Sequence, residues 1–192
     1  MRFALILLLV SCQAMAQIDV GIRAGLNVSD IKEKGVAFSN DDFFNPKVSY
    51  HLGVFSKIPT TERVFILTEA VYSRKGSRLR DFTGNRSNLN FSYLSVPILA
   101  GLQFNDWSVV FGPQLSFGVD SDVLDTNTEF SLVLGGKYYL DDRTQLGLRY
   151  VQGLTALNRI TFVDSSGGAQ GVGRLTNQLI QISLSYDLYS FE

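Results

Sequence analysis

Cysteine is almost missing from these 192 residues: the single thiol is Cys12, inside an N-terminal stretch that reads as an export signal. With that stretch removed, disulfide and thiol chemistry drop out. Beyond the leader, no apolar run reaches the roughly 18 residues that a spanning helix needs. A chain of this kind can cross a bilayer only as a closed β-barrel, because lipid offers no partner to unpaired backbone groups. Charge of one sign is also missing. The formal net charge is −1, so no global polyanion-binding field is implied, and nucleic acid is not an expected partner. There is one histidine, His51.

The leader is "MRFALILLLVSCQAMAQ". It has one positive charge at Arg2, a short apolar run from Phe3 to Val10, and an Ala14-Met15-Ala16 site of the small-x-small type, giving a signal peptide over 1–16. "LVSC" at 9–12 also fits a lipoprotein cleavage box, which would leave Cys12 as a lipidated N-terminus. Residues 17–192 form one domain of about 176 residues.

What fills that domain is period-two alternation. In "DVGIRAGLNV" (19–28), Val20, Ile22, Ala24, Leu26 and Val28 share one face, and Asp19, Gly21, Arg23, Gly25 and Asn27 share the other. Strand-like segments recur at 48–58, 64–75, 89–102, 107–119, 129–140, 144–154 and 177–188, which makes eight. Connections at 29–47, 76–88, 120–128 and 155–176 are longer than those at 59–63, 103–106 and 141–143. The long loops therefore gather at one end, with the tight turns and both termini at the other. That is the layout of an up-and-down outer-membrane barrel whose short turns face the periplasm. Pro59, the Asn105-Asp106 pair and the Asp141-Asp142 pair supply turn chemistry.

Comparing the two faces decides which one meets the middle of the protein. One collects Ile22, Leu26, Leu52, Val54, Ile66, Leu94, Ile98, Phe111, Leu134, Leu148, Ile182 and Leu184, without charge at its central positions. The other collects Gly21, Gly25, Ser49, Gly53, Ser73, Ser95, Gly112, Gln114, Ser183 and Ser185, with a few charges. A soluble lipocalin-type barrel would line its inside with the apolar set. Here the polar set is too small and glycine-rich to coat a soluble surface, so the apolar face is expected to meet lipid and the polar face to fill a narrow lumen. Phe104, Trp107, Tyr186 and Tyr189 near the turn end, and Tyr72, Tyr93, Phe117 and Tyr150 near the loop end, are expected to form two interfacial girdles.

Four segments carry a family resemblance: "FILTEAVYSRKGS" (65–77), "YLSVPILAGLQF" (93–104), "VVFGPQLSFG" (109–118) and "LGLRYVQGLTAL" (146–157). In that order they resemble the successive strand motifs of PorT-like outer-membrane β-barrel proteins. The resemblance implies an all-β, eight-stranded antiparallel transmembrane barrel in a Gram-negative outer membrane, and a name-giving relative linked to protein secretion. Barrels of this kind commonly end on an aromatic residue read by the barrel insertion machinery. This chain departs from that, with Phe191 penultimate and Glu192 last.

Candidate site residues fall in two groups. Arg23, His51, Glu69, Lys137 and Arg149 lie on the polar face, and pairing among them makes a lumen charge network. A proton or ion pathway is the rival reading, although eight strands leave side-chain volume and not a water channel. A hydrolase would need His51 beside a serine and a carboxylate, and strand 2 holds no nucleophile motif, so no catalytic residue and no cofactor are assigned. The second group is at the loop end. Arg78, Arg80 and Arg86, with Arg74 and Lys75, suit lipid phosphates, whereas Asp120, Asp122 and Asp125, with Glu129, suit pairing with those cations or capture of a divalent ion. "SSGGAQGVG" (165–173) is glycine-rich but has no strand-to-helix context, so it is no phosphate loop. The expected role is structural or interactive, through the outer loops, with outer-membrane lipid and the insertion machinery as partners. Rivals are a component of a secretion or envelope assembly with an envelope protein partner, an enzyme, and a narrow transporter.

Overall fold

The computed structural model describes residues 18–34, 44–80, 86–119, 128–155, 158–163 and 169–189. The expected leader with Cys12 and the chain end at Phe191 and Glu192 lie outside the described residues. Alternation produces strands β1 (Asp19–Lys34), β2 (Phe44–Pro59), β3 (Val64–Arg80), β4 (Arg86–Phe104), β5 (Trp107–Gly118), β6 (Thr128–Tyr139), β7 (Thr144–Gly153), β8 (Asn158–Val163) and β9 (Ala169–Tyr189). Each of β1 to β7 pairs antiparallel with the next, β7 pairs with β9, and β9 returns to β1. The result is a closed eight-stranded antiparallel barrel. Closure leaves no edge strand within the wall, as lipid requires.

β8 is not a ninth wall strand. It pairs only with the outer stretch of β9, from Asn158↔Leu175 to Val163↔Ala169, and so turns part of the expected 155–176 loop into a hairpin. Other strands also outrun their expected limits: β1 continues to Lys34, β2 starts at Phe44, and β3 and β4 run on until Arg80 meets Arg86. Hydrophobic alternation marks only the portion of a strand inside the bilayer. Backbone pairing continues past it, where the sequence has no apolar face to announce it.

The outward set is the apolar one. Leu52, Ile98, Leu134 and Leu148 are 52%, 54%, 54% and 58% exposed, halfway up strands long enough to span a membrane. Phe104, Trp107, Tyr186 and Tyr189 at the turn end and Phe117 and Tyr150 at the loop end also face outward. Tyr93 does not. It is 1% exposed, with Lys75 Nζ 4.6 Å from its ring centre, so it belongs to the lumen and not to the loop-end girdle. Its odd number puts it on the inward parity of β4 with Ser95, which outranks its aromatic character.

The lumen is less polar than its small residues imply. Phe55, Phe65, Leu67, Leu99, Val110, Val133, Val151 and Leu179 form a buried cluster inside the barrel. They share parity with the polar set, but in runs such as "VFIL" (64–67) both faces are apolar and the alternation disappears. Room for the larger rings comes from glycine: a Cβ on Gly101 would run into the Phe65 ring.

The short turns are built as their residues dictate. Asn105 sits at φ 31°, a left-handed conformation that Asn tolerates, and joins β4 to β5 where Phe104 pairs with Trp107. In the β6–β7 turn, Asp141 Oδ1 accepts the backbone N–H groups of Arg143 at 2.8 Å and Thr144 at 2.7 Å. The Arg143 backbone bond, followed by the bonds from Thr144, holds the Asp141 carboxyl below its ordinary range. The same turn is tied to the last strand by Asp187 N donating to Arg143 O at 2.9 Å.

Candidate functional site

Strand β1 carries Arg23 inward between Gly21 and Gly25, opposite Gly53 of β2. Those glycines free the lumen volume that a guanidinium needs; a Cβ on Gly25 would stand 2.8 Å from His51 Cε1. Arg23 Nη1 donates to Glu69 Oε2 at 2.6 Å, and Nη2 lies 3.2 Å from Ser183 Oγ and 3.3 Å from His51 Nε2. From the opposite wall, Arg149 of β7 donates to both oxygens of Glu69, each at 2.7 Å. One carboxylate therefore receives three charge-assisted bonds from two guanidinium groups, and it links β1, β3 and β7 across the barrel. The Glu69 side chain has no exposed surface, and those of Arg23 and Arg149 are 1% and 2% exposed.

His51 extends the network to β1 and β9. A guanidinium has no lone pair, so His51 Nε2 is the acceptor from Arg23, and Nδ1 carries the proton that Asn27 Oδ1 receives at 2.8 Å. Asn27 is the hub that sequence reasoning passed over. Its Oδ1 also accepts from Gln181 Nε2 at 3.0 Å, and its Nδ2 donates to Ser73 Oγ and Arg74 O at 2.9 Å and to Tyr50 O at 3.2 Å. These bonds fall where the β2–β3 register shifts between Pro46 and His51. A buried Asn on inward parity beside a register irregularity is the signal, but the irregularity is invisible in the sequence.

Lys137 is close to this cluster but makes different bonds. Its Nζ donates to Gln145 Oε1 at 3.0 Å, lies 4.9 Å from the Phe55 ring centre, and reaches Asp187 through Gln145 Nε2, which donates to Asp187 Oδ2 at 2.7 Å. The structure thus groups Arg23, His51, Glu69 and Arg149 and sets Lys137 in a second chain toward the turn end.

A third pair is Lys75 with Glu129, 3.2 Å apart and buried, with Ser131 Oγ donating to Glu129 at 2.9 Å. Lys75 and Glu129 were expected among the loop charges; inward parity puts both in the lumen. Arg74, by contrast, lies over the Tyr50 ring at 6.0 Å. Arg78, Arg80 and Arg86 are placed by their backbone on β3 and β4, in the hairpin where Arg80 pairs with Arg86 and Arg78 with Asn88. Their side chains, and Asp120, Asp122 and Asp125, lie outside the described residues. Among the described residues no cluster of three or more His, Cys, Asp or Glu is arranged to hold a metal.

Residues 13–159 match the family described as outer membrane protein beta-barrel domain. The chain belongs to that family. This outer-membrane barrel protein also resembles solved structures in fold. OprG, an outer membrane protein from Pseudomonas aeruginosa, is 12% identical, with 91% of this chain and 97% of that one covered at a TM-score of 0.54. Ail, the attachment invasion locus protein of Yersinia pestis, is 11% identical, with 88% and 98% covered at 0.52. Neisserial surface protein A is 9% identical, with 88% and 97% covered at 0.50. At such identities the likeness is one of fold alone. No curated protein matches the sequence. The protein resides in the outer membrane, its apolar belt facing outward.

Proposed function

We propose that this outer-membrane barrel protein is a structural or interaction protein whose lumen network braces the wall while the loop end contacts partners. The observation that carries this reading is the Glu69 carboxylate held by Arg23 and Arg149 across the barrel. A guanidinium–carboxylate–guanidinium bridge in a lumen that also holds Phe55, Leu67, Leu99 and Val110 occupies the path an ion would take. His51 is engaged by Asn27 and Arg23, and neither presents a hydroxyl nucleophile, so the reading assigns no catalytic residue. Contact with partners outside the cell would fall to the loop end, where β1, β3, β4 and β9 extend past the lipid-facing belt.

Two loop-end roles follow. Arg78, Arg80 and Arg86 on the β3–β4 hairpin would contact lipopolysaccharide phosphates, for which guanidinium groups are suited. Their joint replacement by alanine should weaken lipopolysaccharide association, and unchanged binding would refute that role. The resemblance of the four strand motifs to PorT-like proteins supports a second reading, in which the partner is an envelope assembly. Both are tested by placing a photo-crosslinking amino acid at position 80 or 86 and, as control, at the lipid-facing position 98, alongside planar-bilayer recording. Discrete protein or lipopolysaccharide adducts from 80 or 86 but not from 98, with no ion current, are expected. A steady current with no loop adduct would favour a narrow transporter instead.

A further inference from the structure

We propose that the periplasmic end of the barrel binds the headgroup of a zwitterionic glycerophospholipid of the phosphatidylethanolamine kind, between the β2–β3 and β4–β5 turns. A recess of about 420 Å³ there is lined by Glu62, Arg63, Gln103, Phe104, Asn105 and Trp107. It adjoins a second of about 490 Å³ that shares Glu62, Arg63 and Gln103 and reaches Lys57. The two turns are locked side by side, since Gln103 N donates to Arg63 O at 2.7 Å. Gln103 is itself held, its Oε1 accepting from Tyr139 at 2.8 Å and its Nε2 donating to Asn105 O at 3.2 Å. The inner end is filled by Lys57, which lies 5.0 Å and 5.5 Å from the Phe65 and Tyr139 ring centres. A molecule in the outer recess is therefore kept at the rim.

The recess combines three features that match one class of ligand. Its outer wall is the stacked Phe104–Trp107 pair, with centroids 4.4 Å apart and an interplanar angle of 17°. Both rings face outward and continue the lipid-facing belt at the depth where aromatic side chains meet headgroups. Next to it stand one cation, Arg63, and one anion, Glu62. Both are exposed, and neither forms an ion pair among the described residues. A phosphate suits the guanidinium, and a primary ammonium two carbons away suits the carboxylate while the acyl chains run along the rings. A phosphatidylglycerol headgroup offers Glu62 neutral hydroxyls and no cation to pair with. A choline headgroup has no N–H to donate.

Trp107 is the only tryptophan in the chain, so it reports on its own site. The protein is reconstituted into phosphatidylcholine vesicles doped with a small fraction of phosphatidylethanolamine, phosphatidylglycerol or phosphatidylcholine, brominated near the ester end of the acyl chains, and Trp107 quenching is measured. Brominated phosphatidylethanolamine should quench as though enriched about two- to fivefold over its bulk fraction, the ratio one exposed ion pair supplies. Arg63→Ala should return quenching to the bulk fraction, and Glu62→Gln should erase the preference for phosphatidylethanolamine over phosphatidylglycerol. If Arg63→Ala does not insert, Glu62→Gln decides by itself. Quenching that follows bulk fraction for all three lipids, or phosphatidylglycerol equal to or above phosphatidylethanolamine in the unmodified protein, would overturn the proposal.

Discussion

Removing Glu69 should unbalance the barrel more than any other single truncation in the lumen. Glu69→Ala deletes three charge-assisted bonds of 2.6, 2.7 and 2.7 Å and leaves Arg23 and Arg149 facing each other in a closed interior. At about 1.5–3 kcal/mol for each bond to a charged group, the gross loss is about 4.5–9 kcal/mol. Relaxation and water entry reduce this toward the roughly 3–5 kcal/mol typical of breaking a buried pair from one side. With a slope of about 2 kcal/mol per molar urea, the unfolding midpoint in vesicles should fall by about 1.5–2.5 M, read from Trp107 emission. The physical reason is the stranded charge and not the lost shape. The triple variant Arg23→Met, Glu69→Leu, Arg149→Met should therefore recover most of the loss, because no uncompensated ion remains. A Glu69→Ala midpoint within error of the unmodified protein, or a triple variant weaker than the single one, would refute this account.

Asn27→Ala removes the acceptor shared by His51 Nδ1 and Gln181 Nε2 and should cost about 2–6 kcal/mol at roughly 1–3 kcal/mol for each of the two stranded donors; urea titration of Asn27→Ala against Ser183→Ala, which loses one bond, checks the ordering. In the β6–β7 turn the folded Asp141 carboxyl is held below its unfolded value of 3.8, so its contribution is fully present above that value and is lost as pH falls through the lower folded value. The midpoint difference between the unmodified protein and Asp141→Ala should stay constant from pH 7 to about pH 5 and shrink below pH 4; a difference that widens on acidification contradicts the turn geometry. On the lipid face, Ile98→Lys should cost about 2–4 kcal/mol in vesicles, visible as a lost heat-dependent gel shift at lower urea, whereas Thr61→Lys at the exposed β2–β3 turn should leave the shift unchanged.

The described part of the lumen is filled by side chains of both kinds. Two buried ionic groupings, Arg23–Glu69–Arg149 and Lys75–Glu129, lie among apolar residues from seven strands, and the Lys137–Gln145–Asp187 chain links β6, β7 and β9 at the turn end. The Arg23–Glu69–Arg149 and Lys75–Glu129 groups each join strands that are not neighbours in the wall, adding contacts across the lumen to the backbone bonds that hold neighbouring strands. That leaves chemical variety to the two rims, one with the arginine-bearing hairpin and the other with the Glu62–Arg63 turn.

The sequence alone determines that there are eight wall strands, which residues of each face lipid, and which end has short turns. All three follow from a local rule: successive side chains alternate, and lipid accepts one kind and a narrow lumen the other. It also places Arg23, His51, Glu69, Lys137 and Arg149 on the inward face. Tertiary structure alone decides who meets whom. Glu69 and Arg149 are 80 residues apart, and Arg23 and Ser183 are 160 apart; strand tilt and ring closure bring them to one level, and neither quantity is written in an alternation of period two. Inward parity turns Lys75, Glu129 and Tyr93 into the lumen, where the fold pairs the first two, and a register shift hides the Asn27 hub. Beyond the bilayer, where no lipid selects side chains, the sequence stops signalling strands, and only backbone pairing reveals β8 and the extensions of β1 and β9.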